Sequence, residues 1–127
     1  MATFQVIGHV TTPFGDASVH VGRYPAGGAI AVQLVGAATG EPLGVFSTNL
    51  VPYGASVADS EFCAKVWSEN EPLVEPMRAS GLFEDTGRVE ASGYVLAPVW
   101  RIKNPDHVPP VPRHRRARAE GARTWSK

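Results

Sequence analysis

The sequence predicts an α+β fold: an antiparallel sheet of five or six strands, one short helix packed on one face, and a disordered basic C-terminal tail. Three observations lead there. Short runs rich in β-branched residues recur between turn signals, in a chain of 127 residues with 13 glycines and 11 prolines. Only residues 68–81 combine helix-start chemistry with helical apolar spacing. Past Ile102 the large apolar residues thin out and arginines accumulate.

The elements follow in order. Residues 4–10 (FQVIGHV) and 17–24 (ASVHVGRY) read as a strand pair around Thr11–Gly15. Ala26-Gly27-Gly28 makes the next turn. In 29–35 (AIAVQLV), Ile30, Val32 and Leu34 share one face and Gln33 takes the other. Ala38–Pro42 is a loop, and 43–50 (LGVFSTNL) returns as the second arm of a hairpin. Residues 51–60 are a loop or short helical turn. In 61–67, Phe62, Ala64 and Val66 point one way; Glu61, Cys63, Lys65 and Trp67 point the other, a mixed set that suggests a face near solvent. Ser68 or Asn70 can cap the helix, Pro72 fits its first turn, and Pro76 shortens or kinks it. Leu73, Val74 and Met77 face the sheet, and Gly81 stops the helix. Glu84–Gly87 reads as a turn, and residues 88–90 and 94–102 as a last strand pair. Pro98 places that strand at an edge or beside a bulge.

Length and composition fit one domain, residues 1–102, followed by a Pro/Arg-rich tail, 103–127. A single cysteine, Cys63, excludes an internal disulfide and a multi-thiolate metal site. No secretory leader is read at the N-terminus, and no run of about 18 apolar residues suggests a membrane span. The formal net charge of zero conceals a division. Residues 1–102 hold five bases and ten acids; residues 103–127 hold seven bases and two acids, so a body of −5 is joined to an arm of +5.

Catalytic and cofactor signatures are missing from the pattern. His9, His20, His107 and His114 lack the close Cys/His pairs of a zinc site, so no metal or cofactor is expected. There is no G-x-S-x-G elbow, and the Gly27-Gly28 pair precedes a strand, whereas a phosphate cradle opens a helix. Cys63 reads as a small buried hydrophobe.

Two clusters remain. Glu69, Glu71, Glu75, Glu84, Asp85 and Glu90 form a candidate acidic face at the helix and its following turn. It is either a solvated face that complements the helix dipole or a negative patch offered to a basic nucleic-acid channel. Arg113, Arg115, Arg116, Arg118 and Arg123 can neutralise phosphates, and Trp125 can stack on a base or enter a protein pocket. The plainer reading of that arm is a solubilising tail, or one that folds back on the acidic body.

Three stretches add a resemblance: AIAVQLVGAATGEPLGVFSTNL (29–50), FCAKVWSENEPLVEPMRASGLFEDTGR (62–88) and SGYVLAPVWRI (92–102). Their GEP turn, SENE helix start and TGR hairpin resemble those of small uncharacterised accessory proteins of phages, plasmids and integrative elements. That group is of the kind that includes anti-CRISPR and anti-restriction factors. Pro72, Pro76, the first 28 residues and the basic tail depart from its pattern. The resemblance implies a non-enzymatic inhibitor in the cytoplasm of a bacterial host. Its partner would be a defence nucleoprotein complex such as a CRISPR effector, blocked at a nucleic-acid site by steric and electrostatic occlusion. The alternative is a small accessory protein that binds RNA or DNA through the arginine-rich arm.

Overall fold

The structure, a computed structural model, describes residues 4–92 and 95–111. It is α+β, but the described residues form eight strands in two antiparallel sheets of four. The first sheet has the order β1 (Gln5–Thr12), β2 (Gly15–Arg23), β3 (Ile30–Gly36) and β4 (Pro42–Val45). The second contains β5 (Ser47–Thr48), β6 (Glu61–Ala64), β7 (Phe83–Ser92) and β8 (Val95–Ile102), in the order β5-β6-β8-β7.

The count differs from expectation chiefly at Phe46. Residues 43–50 read as one strand, but the chain changes sheets there. The Phe46 N–H donates to Val32 O at 2.8 Å, and its carbonyl accepts from Lys65 N at 2.9 Å. On one side β4 pairs with β3; on the other β5 pairs with β6. Ser47 reinforces the crossing: its hydroxyl accepts from Val32 N at 2.9 Å and lies 2.8 Å from Tyr24 Oη.

The alternation of β3 holds. Ile30, Val32 and Leu34 are fully buried, and Gln33 is half-exposed. Gly27 and Gly28 adopt φ of +87° and +74°, the left-handed conformation that glycine reaches without a Cβ clash, and so close the turn into β3.

The core lies between the sheets and is dominated by Phe46, Phe62, Trp100, Ile30, Leu34, Leu73 and Met77. Rings meet in tilted and edge-on contacts, with Phe46–Trp100 centroids 5.1 Å apart and Phe62–Phe83 centroids 5.4 Å apart. Helix α1 (Glu71–Ala79) touches β1 and β7, the outer strands of the two sheets, and presses Leu73 and Met77 into the core. Burying each such side chain stabilises by about 1.5–3 kcal/mol. Pro72 sits in the first turn, and Pro76 lies inside the helix, which continues past it to Ala79. Neither Ser68 nor Asn70 caps the helix. Asn70, 1% exposed, instead donates through Nδ2 to Val45 O (2.7 Å) and Lys65 O (2.9 Å).

Three further expectations are corrected. Glu84–Gly87 is part of β7, not a turn. Its turn chemistry builds a bulge, where Gly87 takes φ +84° and donates to Asp85 Oδ1, and Thr86 Oγ1 donates to Val99 O. Second, the face of β6 carrying Glu61 and Cys63 is buried. Leu50, Ala55, Val57 and Trp67 pack with Cys63 in a second small core.

Third, the folded body does not end at Ile102. Lys103 N donates to Leu82 O, a 3-10 turn follows at Pro105–His107, Val108 packs on the main core, and Pro109 is buried. The charge division survives the shift. Residues 1–111 hold six bases and eleven acids, and residues 112–127 still sum to +5. The expected disorder of the remaining arm falls outside the described residues.

Candidate functional site

The six carboxylates proposed as one acidic face are divided by the alternation of β7. Helix α1 and the 3-10 turn before it present Glu69, Glu71 and Glu75, all exposed. Asp85 joins this side through Arg78. That guanidinium lies 3.6 Å from Glu75 and 3.8 Å from Asp85, and sits over the Trp100 ring with its carbon 5.2 Å from the centroid. Glu84, one residue earlier on β7, projects from the opposite face and meets Arg101 at 3.0 Å. Glu90 is on that opposite face too, 3.9 Å from Arg88 and accepting from Ser56 N at 3.0 Å. So the expected single face is two surfaces.

On the helix surface, Glu69 accepts from Lys65 Nζ at 2.7 Å, and this partner leads the influences that bring its carboxyl down to about 2. Glu69 therefore stays anionic at any physiological pH. Glu71, in the first turn of α1, makes no ion pair among the described residues. It lies where the positive end of the helix dipole favours a carboxylate.

On the second surface the organising residue is Glu61, which sequence reasoning did not single out. It is 6% exposed. Burial, the largest single influence, pushes its carboxyl up. The Ala58 N–H at 2.9 Å and Arg88 Nη1 at 2.9 Å from both oxygens outweigh it, and the carboxyl ends below its ordinary value. Nearby Cys63 is pushed the other way, by burial first and by Glu90 second, so its thiol stays protonated and poorly nucleophilic.

Arg23 is 7% exposed and anchors the end of the described chain. It donates through Nη1 to Gly28 O (3.1 Å), and through Nη2 to Asp59 O (2.7 Å) and Pro109 O (2.9 Å). It also borders a cleft of about 170 Å³ with Gly27, Val51, Ala55 and Ser56. That volume is below the roughly 300–1,000 Å³ of ordinary small-molecule sites. Arg23 is its one ionisable lining side chain.

His9 and His20 lie on the first sheet and Cys63 on the second. Among the described residues no three His, Cys, Asp or Glu side chains gather to hold a metal ion. No helix among them is long and apolar enough to cross a membrane. The arm residues Arg113, Arg115, Arg116, Arg118, Arg123 and Trp125 lie outside the described residues. Compared with protein-family models, with curated proteins and with solved structures, the chain gives no significant match.

Proposed function

We propose that this protein is a non-enzymatic, anti-CRISPR-like inhibitor, which binds a defence nucleoprotein complex in the bacterial cytoplasm and occludes a nucleic-acid site. The observation that carries this reading is the helix surface. Glu69, Glu71 and Glu75 are exposed within seven residues of chain. Glu69 is held ionised by Lys65, and Glu71 has no intramolecular ion pair among the described residues. A rigid helix that displays carboxylates outward can compete with phosphates for a basic channel, and complementary charge speeds the encounter. The resemblance of the GEP, SENE and TGR stretches to mobile-element proteins supports the same assignment. Glu84 and Glu90 drop out of the contact set, because Arg101, Arg88 and Ser56 engage them on the other face.

The test is co-purification of the full-length chain with CRISPR effector complexes, beside a Glu71→Lys/Glu75→Lys variant. The wild type should be retained at low salt and lost as salt rises, and the variant should fail at both. Equal retention of the two proteins, or retention of neither, would overturn the reading. The charge pattern of residues 112–127 favours one second reading, direct nucleic-acid binding by the arm. It predicts that Arg113→Ala/Arg115→Ala/Arg116→Ala abolishes retention on RNA or DNA while the helix variant leaves it intact.

A further inference from the structure

At the end of the first sheet formed by the β1–β2 turn and the β3–β4 loop lies a cleft of about 400 Å³. That volume falls within the roughly 300–1,000 Å³ of ordinary ligand sites. Phe14, 57% exposed, lines it together with Ala37, Ala38 and Leu43, which is half-buried against the main core. Asp16 is its one ionisable lining side chain. Backbone bonds fix this end of the sheet. Ala37 N donates to Asp16 O at 2.9 Å, Gly36 N to Glu41 O at 2.7 Å, and Gly40 N to Gly36 O at 2.8 Å. Across the cleft, Phe14 N donates to Thr12 Oγ1 at 3.0 Å.

Charge sets this cleft apart. Lys65, Arg78, Arg88 and Arg101 already engage carboxylates of the second half of the chain. Asp16, and Glu41 in the adjoining loop, make no ion pair among the described residues. Residues 1–60 contain a single base, Arg23, which is buried at the far end of β2. The cleft therefore suits an apolar group joined to a cation. Residues 112–127 supply that combination at one place. Trp125 is the one large apolar residue among them, and Arg123 precedes it by two, the spacing that sets both on one side of an extended segment.

Reach selects the same residues. The described chain ends at Val111, and Pro109 O accepts from Arg23, so the arm starts at the Arg23 end of β2. From Arg23 to Asp16 the strand covers about 23 Å, at roughly 3.3 Å per residue. Arg113 can travel only about 7 Å from Val111, and Arg118 about 23 Å with no slack. Arg123 can span about 40 Å, enough to follow the surface to the cleft.

We propose that this cleft docks the end of the protein's own arm, with the Trp125 indole against Phe14 and Leu43 and the Arg123 guanidinium on Asp16. Tethering holds the segment at an effective concentration on the order of millimolar, so a contact too weak between separate molecules persists within one chain. While docked, these two side chains are withheld from phosphates and bases. The inference stands apart from the inhibitor reading, which uses the helix surface.

NMR on the full-length chain, from low micromolar to millimolar concentration, tests this. Nuclear Overhauser contacts from the Trp125 indole to Phe14 and Leu43 are expected at every concentration. Trp125→Ala should shift the amides of Gly15, Asp16, Ala37 and Ala38. Asp16→Lys should cut the docked population about fivefold, and Arg113→Ala should leave it unchanged. Unmoved amides at Trp100 and Ile102 check that each variant folds. Identical cleft amides in the wild type and Trp125→Ala would overturn the proposal. So would docking that Asp16→Lys leaves intact, or contacts that grow with concentration and so mark a second copy as the occupant.

Discussion

Replacing Asn70 tests how one buried amide joins the helix to both sheets. Its Nδ2 donates to Val45 O at the end of β4 and to Lys65 O just past β6. The residue is 1% exposed, so water cannot easily replace either bond. Each such bond contributes about 1 kcal/mol net. Asn70→Ala removes both and leaves two carbonyls without these donors, so the loss should be about 2 kcal/mol or slightly more. For a body of this size that is a fall in Tm of roughly 8 °C. Asn70→Asp is the sharper variant, because it keeps the shape but turns a donor into a carboxylate facing two carbonyl oxygens. The folded state must then protonate it, which raises its pKa above the unfolded value of about 3.9. Above pH 4 the folded form binds more protons than the unfolded form, so stability falls as pH rises toward the folded pKa. Urea denaturation across pH 4–8 reads both effects. At pH 7 Asn70→Asp should be less stable than Asn70→Ala, and the gap should close in acid. If Asn70→Ala costs under about 0.5 kcal/mol, or the two variants match at pH 7, the Asn70 amide does not hold the helix to the sheets through these bonds.

Two further outcomes follow from the charged residues. Arg23→Met keeps the aliphatic stem but loses the donors to Gly28, Asp59 and Pro109, and should destabilise by about 3 kcal/mol or more. Amide exchange should quicken first at residues 103–111, and unchanged protection there would refute the anchor. The Glu69 carboxyl should titrate at about 2 by NMR, and Lys65→Met should move it toward the ordinary value of about 4.3. Because the folded pKa is the lower one, its contribution to stability is present above the unfolded pKa and fades as pH falls toward 2. A midpoint that Lys65→Met does not move would remove Lys65 as the cause.

The parts of the fold legible in the sequence are those set by neighbours in the chain. Ile30, Val32 and Leu34 alternate with Gln33, and that period alone identifies β3 and its buried face. The Gly27-Gly28 turn and the helix after SENE are equally local. What was not legible depends on tertiary register. Glu61 and Cys63 look half-solvated until residues 50–57 are folded over them. Asp85 and Glu84 look like one acidic pair. In the sheet they face opposite ways, toward Arg78 on the helix and Arg101 on β8. The Asp85-Thr86-Gly87 run has the chemistry of a turn, and only pairing with β8 shows that it bends a strand instead. Arg23 is one base among five in residues 1–102, and nothing near it in the sequence foretells that Asp59 and Pro109 will close around it.

The crossing at Phe46 carries a consequence for how the molecule comes apart. Each half of the chain supplies all four strands of one sheet, and one residue ties the two layers by bonding to Val32 on one side and to Lys65 on the other. A fragment ending at Val45 would leave the apolar face of the first sheet uncovered, and a fragment beginning at Ser47 would lack the Phe46 ring that packs on Trp100 and the Phe46 backbone bond to Val32. Melting should accordingly be a single all-or-none event, and a chain severed at this point should regain structure only when both pieces are mixed.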